Sequence, residues 1–209
     1  MLTPVQPLIH TYIVELCRGN DFMIFSNQQD LQGLGKLWSV AARSRGSLIY
    51  LPTGKNPLTP YLVNDWHGRG LDLVLLHHHL QFPVKKWKVI RSNMKNGKRL
   101  SIESESVKAD INRYMNLTGQ DYERLWNEYP HDRLHVAKRF ETLFLMGSSR
   151  VFRYMIGSFI DLSRTGPRIS VPGRYHDHNH LDSFLKRNDK VSEDTSLTVD
   201  YYDRKAWGS

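Results

Sequence analysis

In the first part of the chain, short apolar runs alternate with polar and turn-forming segments. Residues 22–25, 47–51 and 71–76 are runs with the length of strands that are buried in a sheet. Between the first two runs, apolar side chains recur every three or four positions over residues 31–41, which predicts an amphipathic helix. Asp30 stands directly before this pattern and is a residue type that caps helix N-termini. We therefore expect buried strands on either side of a helix.

Asn96 and Gly97 form the strongest hairpin signal in the chain, because this dipeptide adopts the tight turns that join antiparallel strands. Pairing outward from this turn makes residues 87–91 a strand and sets Lys88 opposite Glu105. Neither face of such a ribbon is uniformly apolar near its tip. The pattern therefore predicts a basic arm that projects from the sheet.

The second half of the sequence has a helical pattern. Thr118 and Asp121 have the spacing of a capping box, in which each side chain accepts a hydrogen bond from the backbone amide of the other residue. This predicts the start of a helix. A long apolar stretch covers residues 134–162, with interruptions at residues 147–149 and at Gly157. Gly-Pro and Pro-Gly pairs bracket a short predicted strand at residues 168–171.

These patterns predict an α+β fold, in which a small mixed sheet mainly from the first half is covered by helices mainly from the second half. With 209 residues, of which 40% are hydrophobic, the chain is long enough for one sizeable core. We expect a single α+β domain over residues 1–187. Because the sequence becomes polar and charged after Leu185, we expect residues 188–209 to form a loosely held polar tail.

The composition indicates an intracellular protein. No run approaches the roughly 18 apolar residues that a membrane-spanning helix needs, and residues 1–7 lack the basic region of a signal peptide. The single cysteine, Cys17, cannot form an internal disulfide and lies among apolar residues, which favours a small core side chain in a reducing compartment. We therefore predict a cytoplasmic location and no membrane partner.

The positive charge of the chain is concentrated in one segment. The formal net charge is +8, and residues 73–102 contain no aspartate or glutamate. Such a segment attracts polyanions, and Phe82 and Trp87 lie within it as aromatic residues for stacking on bases. We predict binding to DNA or RNA, with a solvated basic surface as the alternative. The predicted contact residues are Lys85, Lys86, Lys88, Arg91, Lys95, Lys98 and Arg99.

Three histidines alternate with polar residues late in the chain. His176, His178 and His180 would lie on one side of an extended segment. With Asp182 they have the ligand types for a divalent metal such as zinc or manganese, or they supply a catalytic base beside a phosphate. The segment resembles histidine-rich nuclease motifs of the His-Asn-His type, although its elements are contiguous here. A solvated polar loop is the alternative.

Two further histidine groups have less specific spacings. Residues 77–79 are consecutive histidines that continue a strand-like run, so neighbouring rings would face opposite ways and only two could share a site. His131 and His135 are four residues apart, which places both on one face of a helix, as in zinc proteases. Those proteases carry glutamate beside the first histidine, whereas Asp132 stands here. Surface histidines are the alternative for both groups.

Asp72 lies near the start of a predicted buried strand, and Lys85, Lys86 and Lys88 follow it. This arrangement loosely resembles the core of restriction nucleases, in which acidic residues on a hairpin hold magnesium and a lysine activates water. The second acidic residue is missing between Asp72 and the lysines. Asp72 is therefore a candidate catalytic residue without a complete motif.

An apolar run leads into Gly147, Ser148, Ser149 and Arg150 and then into an amphipathic helix. A glycine at such a turn lets backbone amides approach a phosphate, and the helix dipole favours the anion. This stretch resembles the strand–Gly-x-His-Arg–helix signature of the ParB/sulfiredoxin-like superfamily, with Ser149 in place of the histidine and Met146 in place of the usual acidic residue. The resemblance implies a DNA-acting protein that binds a nucleotide through residues 147–150. A helix–helix junction in the core is the alternative.

The predicted function is that of an intracellular basic protein that acts on nucleic acid, with metal- or nucleotide-dependent nuclease activity as its catalytic form. Two other functions remain open on the sequence: a non-catalytic interaction module for nucleic acid or protein, and a small-molecule metallohydrolase that uses His131, His135 and the later histidines. The candidate cofactors are a divalent metal ion and ATP. The candidate reaction-centre residues are Asp72, Arg150, His176 and His178.

Overall fold

Ten strands form one mixed sheet in the described part of the chain, and helices pack against it. A computed structural model of the protein describes residues 1–16, 20–64, 66, 69–93, 98–171, 176–185 and 195–204. The strands are β1 (Leu2–Pro4), β2 (Thr11–Glu15), β3 (Asp21–Ser26), β4 (Ile49–Leu51), β5 (Arg69–His77), β6 (Lys98–Leu100), β7 (His135–Arg139), β8 (Thr142–Gly147), β9 (His178–His180) and β10 (Ser196–Tyr201). The α-helices are α1 (Gln28–Arg43), α2 (Pro60–Asn64), α3 (Trp87–Asn93), α4 (Glu105–Tyr114), α5 (Gly119–Glu128), α6 (Ser149–Tyr154) and α7 (Ile156–Ile169). The predicted α+β class is confirmed.

The directions of the strands make four carboxyl ends point the same way. Neighbouring strands follow the order β6-β1-β4-β5-β2-β3-β10-β9, and β8 pairs with both β5 and β7. β10 is parallel to β3 and β8 is parallel to β5, while β2 is antiparallel to both β3 and β5. The carboxyl ends of β3, β5, β8 and β10 therefore share one direction. Binding groups commonly collect beyond the carboxyl ends of parallel strands.

The main core lies between one face of the sheet and helices α1, α4, α6 and α7. Leu73 and Leu75 of β5 both point into it, because side chains two apart on a strand share a face. Trp38 of α1 packs on Phe159 of α7 with the ring centroids 4.4 Å apart. Burial of apolar side chains of this size stabilises the fold by about 1.5–3 kcal/mol each.

The opposite face of the sheet carries two smaller apolar clusters. Val74, which alternates with the core residues of β5, packs with Trp87 and Phe144 in one of them. Phe25 and Tyr202 belong to the other, in which their ring centroids lie 6.1 Å apart. This second cluster borders the part of the sheet that holds β9 and β10, and it provides the apolar surroundings of the candidate site described below.

Several sequence predictions of local structure are confirmed. The strands expected at residues 22–25, 47–51 and 71–76 correspond to β3, β4 and β5. Thr118 and Asp121 form the predicted capping box, with both reciprocal hydrogen bonds present, and α5 begins there. In each case the local pattern and the tertiary contacts favour the same conformation.

The helix predicted over residues 31–41 is confirmed as α1, but its cap is a different residue. The side chain of Asn27, and not that of Asp30, accepts the capping hydrogen bond, which the backbone N–H of Asp30 donates. The Asp30 carboxylate instead accepts a hydrogen bond from the backbone N–H of His10 at 2.8 Å. It therefore joins α1 to the segment before β2.

Two predictions for the second half are wrong. Residues 135–147, expected to be helical, form the β7–β8 hairpin, and its turn holds Phe140 and Glu141 at positive φ angles of 47° and 59°. The strand expected at residues 168–171 does not form, because α7 continues through Pro167 to Ile169. The sheet therefore draws on both halves of the chain.

The prediction of a projecting basic arm is also wrong. Residues 87–93 form helix α3 instead of one strand of a hairpin, so the proposed pairing of Lys88 with Glu105 does not occur. The apolar side of this short segment is occupied by Trp87, which is buried in the cluster with Phe144. The predicted turn at Asn96 and Gly97 lies outside the described residues, as does the predicted core residue Cys17.

The predicted polar tail contains a buried strand. β10 lies within residues 188–209, yet it pairs in parallel with β3 along its whole length and also pairs with β9. Leu197 and Val199 are wholly buried in the main core. The expectation of a loosely held tail from residue 188 is therefore wrong for residues 196–201, because the apolar positions of β10 complete the core.

Candidate functional site

Strands β9 and β10 bring two histidines and a buried aspartate together. In the antiparallel register of these strands, His178 lies directly opposite Asp200. Residues that face each other in this way present their side chains on the same side of the sheet. Leu197 and Val199 point into the main core, so Asp200, one position further along β10, points to the opposite face.

The side chains of His176, His178 and Asp200 form a compact group. Nδ1 of His176 lies 3.0 Å from Oδ1 of Asp200, and Nδ1 of His178 lies 3.9 Å from the same oxygen. One ligand atom from each residue lies within 4.8 Å of the others. Two imidazoles and a carboxylate are a donor set that binds zinc, manganese or iron.

Asp200 is the least satisfied polar side chain of this group. It is 0% exposed, and among the described residues its Oδ2 atom has no hydrogen-bond partner. An unpaired buried oxygen of an ionised carboxylate costs free energy. A cation bound between this oxygen and the imidazoles would offset that cost.

The hydrogen bond to Asp200 also sets the protonation of His176. That bond raises the pKa of His176, burial opposes the rise, and the carboxylate charge adds to it. The Nδ1–H group of the ring donates to Oδ1 of Asp200, which fixes the orientation of the ring. The ring of Trp66 packs in a T-shaped arrangement with this ring, with the centroids 5.6 Å apart. His176 is therefore held between a carboxylate and the aromatic cluster.

The structure separates the predicted ligands His180 and Asp182 from this group. The rings of His176, His178 and His180 do follow one another on one side of the chain, with centroid separations of 5.3 and 5.0 Å. However, Oδ1 of Asp182 accepts the backbone N–H of Leu197 at 2.6 Å, and its Oδ2 lies 3.3 Å from Nδ1 of His180. The ion pairs of His176 and His178 are both made with Asp200.

Sequence reasoning missed Asp200 because it lies 24 positions after His176 in a segment predicted to be a tail. A signal was present, since residues 197–201 alternate apolar and polar side chains, as a half-buried strand does. The partner strand of such a segment cannot be identified from the local pattern. The contact with the histidines therefore emerges only from the sheet register.

Asp72 lies in a separate part of the sheet, where its two oxygens are satisfied. Oδ2 accepts hydrogen bonds from the hydroxyl of Tyr50 at 2.7 Å and from Arg91 at 3.2 Å, and Oδ1 accepts the backbone N–H of Gly54 at 3.0 Å. Burial and the contact with Asp72 raise the pKa of Tyr50, so its hydroxyl stays protonated as the donor. Asp72 borders a cleft of about 450 Å³ that Glu141 also lines.

These contacts connect the segment at Gly54 and helix α3 to strand β5. A Cβ atom on Gly54 would lie 3.0 Å from Oδ1 of Asp72, so the loop packs directly against the carboxylate. Among the described residues, Asp72 belongs to no group of metal-ligand side chains. The structure therefore does not bring it together with His176 and His178.

The turn at residues 147–150 is closed by its own side chains. Oγ of Ser148 accepts the backbone N–H groups of Arg150 and Val151, each at 3.1 Å. Ser148 also donates to Oδ2 of Asp132 at 2.8 Å, and Arg150 donates to the same oxygen at 3.1 Å. The guanidinium of Arg150 lies over the ring of Tyr129, 3.3 Å from its centroid. The amides and the arginine expected to bind a phosphate thus already have partners, one of them a carboxylate.

Two histidine groups that the sequence treats separately border one cleft. His77 ends β5, and the chain then turns into a short 3-10 helix (His78–Leu80), so the predicted alternation of the three rings is wrong. His131 and His135 do not share a helix face, because residue 135 begins β7. Together with His77 and His78 they line a cleft of about 440 Å³.

The basic segment is exposed in part. Arg91 is paired with Asp72, and Lys95 lies outside the described residues. The remaining predicted contact residues are exposed, on the surface before and along α3 and on β6, namely Lys85, Lys86, Lys88, Lys98 and Arg99. These side chains are available to a polyanion.

Trp87 is not available to stack on a base. The residue is 0% exposed, and its Nε1 atom donates to Oγ1 of Thr142 at 2.8 Å. Phe82 packs on it with the ring centroids 5.9 Å apart. The prediction of base stacking by Trp87 is therefore wrong, and Phe82 is half-buried in the same cluster.

Comparison with known proteins adds no family to this picture. No protein-family model, curated protein or solved structure matches the chain. The resemblance of residues 147–150 to the ParB/sulfiredoxin-like superfamily stays a prediction. In the described ranges, none of the helices combines the length and the apolar character needed to cross a membrane.

Proposed function

We propose that the protein binds a divalent transition metal through His176, His178 and Asp200 and uses it to hydrolyse phosphodiester bonds in nucleic acid. One observation carries the proposal. Asp200 is wholly buried, one of its oxygens has no partner among the described residues, and two imidazoles lie beside it. A buried carboxylate is retained at such a cost where a bound cation compensates it.

The donor set favours some metals over others. Imidazole nitrogens suit zinc and iron, and the carboxylate also suits manganese, whereas magnesium and calcium prefer ligand sets made of oxygen atoms. A metal ion of the first group, when bound by protein ligands, lowers the pKa of a coordinated water towards neutrality and so supplies a nucleophile for hydrolysis.

The residues around the group hold its ligands in place. The Nδ1 hydrogen bond to Asp200 orients the ring of His176, and an ion bound by both residues would replace the proton of this bond. The pairing of β9 with β10 holds His178 opposite Asp200. Between the histidines of β9, the side chain of Asn179 donates to the carbonyl oxygen of Ser158 at 2.8 Å, which anchors the strand to α7.

Nucleic acid is the substrate class that the charge favours. The net charge of +8 and the exposed lysines at residues 85, 86 and 88 attract a polyanion independently of its sequence. An intracellular site of action fits a sequence with a single cysteine. The non-catalytic interaction module differs from this proposal in requiring no metal.

Metal analysis and a nuclease assay test the proposal together. The full chain, stripped with a chelator and dialysed against zinc or manganese, is expected to retain metal and to cleave labelled single- or double-stranded DNA or RNA. In an H78A/H79A background, which leaves His176, His178 and Asp200 in place, the chain should keep both properties, and further replacement with H176A/H178A should abolish them. A metal-free, inactive parent chain that still binds nucleic acid would instead establish the interaction module.

A further inference from the structure

Three consecutive histidines gather at the carboxyl end of β5. His77 is the last residue of this strand, and it is paired with Gly147 of the parallel strand β8. The chain then enters the 3-10 turn, and Gln81 ends the turn in the left-handed region, with φ of 44°. Because of this turn, the rings of residues 77–79 lie together, with centroid separations of 4.7, 4.9 and 4.8 Å.

The hydrogen bonds of His77 determine which ring nitrogen carries the proton. The backbone N–H of His79 donates to Nδ1 of His77 at 3.3 Å, so Nδ1 carries the lone pair and Nε2 carries the proton in the neutral ring. Nε2 lies 3.1 Å from Oγ of Ser149. Ser149 donates its own proton to the carbonyl oxygen of Ala42 at 2.6 Å, which leaves its oxygen to accept from Nε2.

This arrangement is typical of a metal-binding histidine. Such a ring binds the ion through one nitrogen and donates the other N–H to a fixed acceptor, which sets its tautomer and orientation. Ser149 is that acceptor for His77, and the lone pair at Nδ1 is directed towards the turn that carries His78 and His79. Metal binding at Nδ1 would displace only the long 3.3 Å hydrogen bond from the amide of His79.

The ring nitrogens of the three histidines lie close enough together to share one ion. Neutral imidazole is the form that binds metal ions. The ligand atoms of residues 77–79 lie within 4.8 Å of one another.

Small rotations of exposed side chains would complete the geometry. Zinc–nitrogen distances of about 2.0–2.1 Å place tetrahedral donors about 3.4 Å apart. His78 and His79 are exposed, and their rings can therefore rotate towards His77, which is held in place. The cleft of about 440 Å³ on this side is open to solvent ligands.

We propose that His77, His78 and His79 form a second transition-metal site, with three imidazole ligands and an open fourth position facing the cleft. Zinc, cobalt, nickel and copper fit this all-nitrogen donor set, whereas magnesium and calcium do not. The open position is available to water or to a small anion. This site is independent of the centre at His176, His178 and Asp200, and neither proposal requires the other.

Zinc binding by the H176A/H178A chain tests this site alone. Stripped of metal and titrated with zinc against a competing chelator, this chain is expected to bind one equivalent. Further replacement of His78 and His79 by alanine should abolish the binding. Because both residues are exposed, thermal melting of the metal-free chains should be unchanged. Zinc binding that persists without His78 and His79, or is absent before their removal, would overturn the proposal.

Ser149 distinguishes a site built by the fold from a mere run of histidines. Loss of an outer hydrogen-bond partner typically lowers metal affinity by about 10- to 100-fold. The S149A substitution in the H176A/H178A background should therefore weaken zinc binding by about tenfold or more, with metal-free melting recorded to confirm that the chain is folded. An unchanged affinity would show that the histidines bind as an unstructured tract, and the proposed site would be wrong.

Discussion

Nδ1 of His176 donates a hydrogen bond to Oδ1 of Asp200 over 3.0 Å, and the other oxygen of this wholly buried carboxylate has no partner among the described residues. The two residues are joined through the sheet, because Asp200 lies on β10 beside the strand that follows His176. Of the predicted ligands, His176 therefore lies beside a buried carboxylate, and that carboxylate belongs to Asp200 and not to Asp182.

The first prediction separates Asp200 from the sequence-predicted ligands. The D200N substitution removes a ligand charge, so we expect zinc affinity at this centre to fall by more than about tenfold, since even outer partners of metal ligands have effects of about 10- to 100-fold. H180A should leave that affinity unchanged, because His180 is outside the compact group. The measurement is a chelator competition titration in an H78A/H79A background. A loss of affinity in H180A but not in D200N would favour the ligand set predicted from the sequence.

The second prediction concerns the exposed lysines at residues 85, 86 and 88. Replacing all three by glutamine should flatten the dependence of log K on log salt concentration for duplex DNA, by about 0.9 for each phosphate that is no longer neutralised by a lysine. The control variant, R113Q/R124Q/R168Q, removes the same charge from exposed positions on α4, α5 and α7. Equal slopes for the two variants would mean that binding depends on the net charge alone.

Local patterns predicted those elements in which one short segment determines the conformation. The runs that became β3 and β5 are apolar and bounded by polar residues, and the capping box fixes the start of α5. The β7–β8 hairpin was missed because residues 134–162 were treated as one helical stretch, although Lys138, Arg139 and Glu141 interrupt its apolar pattern around the turn between the two strands. The error is therefore one of boundaries between elements.

The candidate site was only half predictable for a different reason. Local alternation placed His176 and His178 on one side, and this part of the prediction needed no tertiary information. Asp200 comes from a neighbouring strand, and strand pairing depends on contacts across the whole sheet. The sequence predicted that neighbouring rings of residues 77–79 would face opposite ways, as on a continuing strand. The strand instead ends at His77, and the 3-10 turn that follows brings the three rings together.

The third prediction tests the capping box. T118A should lower the free energy of unfolding by roughly 1 kcal/mol through loss of the N-cap hydrogen bond. The hydrogen bond from the Thr118 backbone, followed by that from its side chain, lowers the pKa of Asp121 below its usual 3.8. This contribution to stability is thus present above pH 3.8 and is lost as the pH falls through the lower folded-state pKa.

Chemical denaturation from pH 7 to pH 2 provides the measurement for this prediction. The D121N variant, which cannot ionise at that position, should show a smaller loss of stability than the parent chain at the acid end of the range. Identical acid dependence in the two proteins would contradict the assignment of this carboxylate to the cap.

The fourth prediction concerns Trp87. Since the side chain is wholly buried and its Nε1 donates to Thr142, W87A should destabilise the fold by about 3–5 kcal/mol. W87F should be milder, because it retains much of the apolar volume in contact with Phe144. Urea unfolding measures both effects. Weaker DNA binding by W87A, with its unfolding midpoint unchanged, would instead support a role in stacking on bases.

The last prediction assigns Asp72 a structural role. D72N retains an oxygen that accepts from Tyr50 or Gly54 but removes the charge that pairs with Arg91 over 3.2 Å. Hydrogen bonds to charged groups contribute about 1.5–3 kcal/mol, so we expect the free energy of unfolding to fall by about 1–3 kcal/mol. Metal affinity and turnover should be unchanged after correction for the folded fraction, because Asp72 lies outside both histidine groups. R91Q is the matched variant, and it should reproduce the destabilisation, since it removes the other half of the same ion pair. A D72N chain that melts like the parent but has lost turnover would place Asp72 in the reaction centre, as the sequence alone suggests.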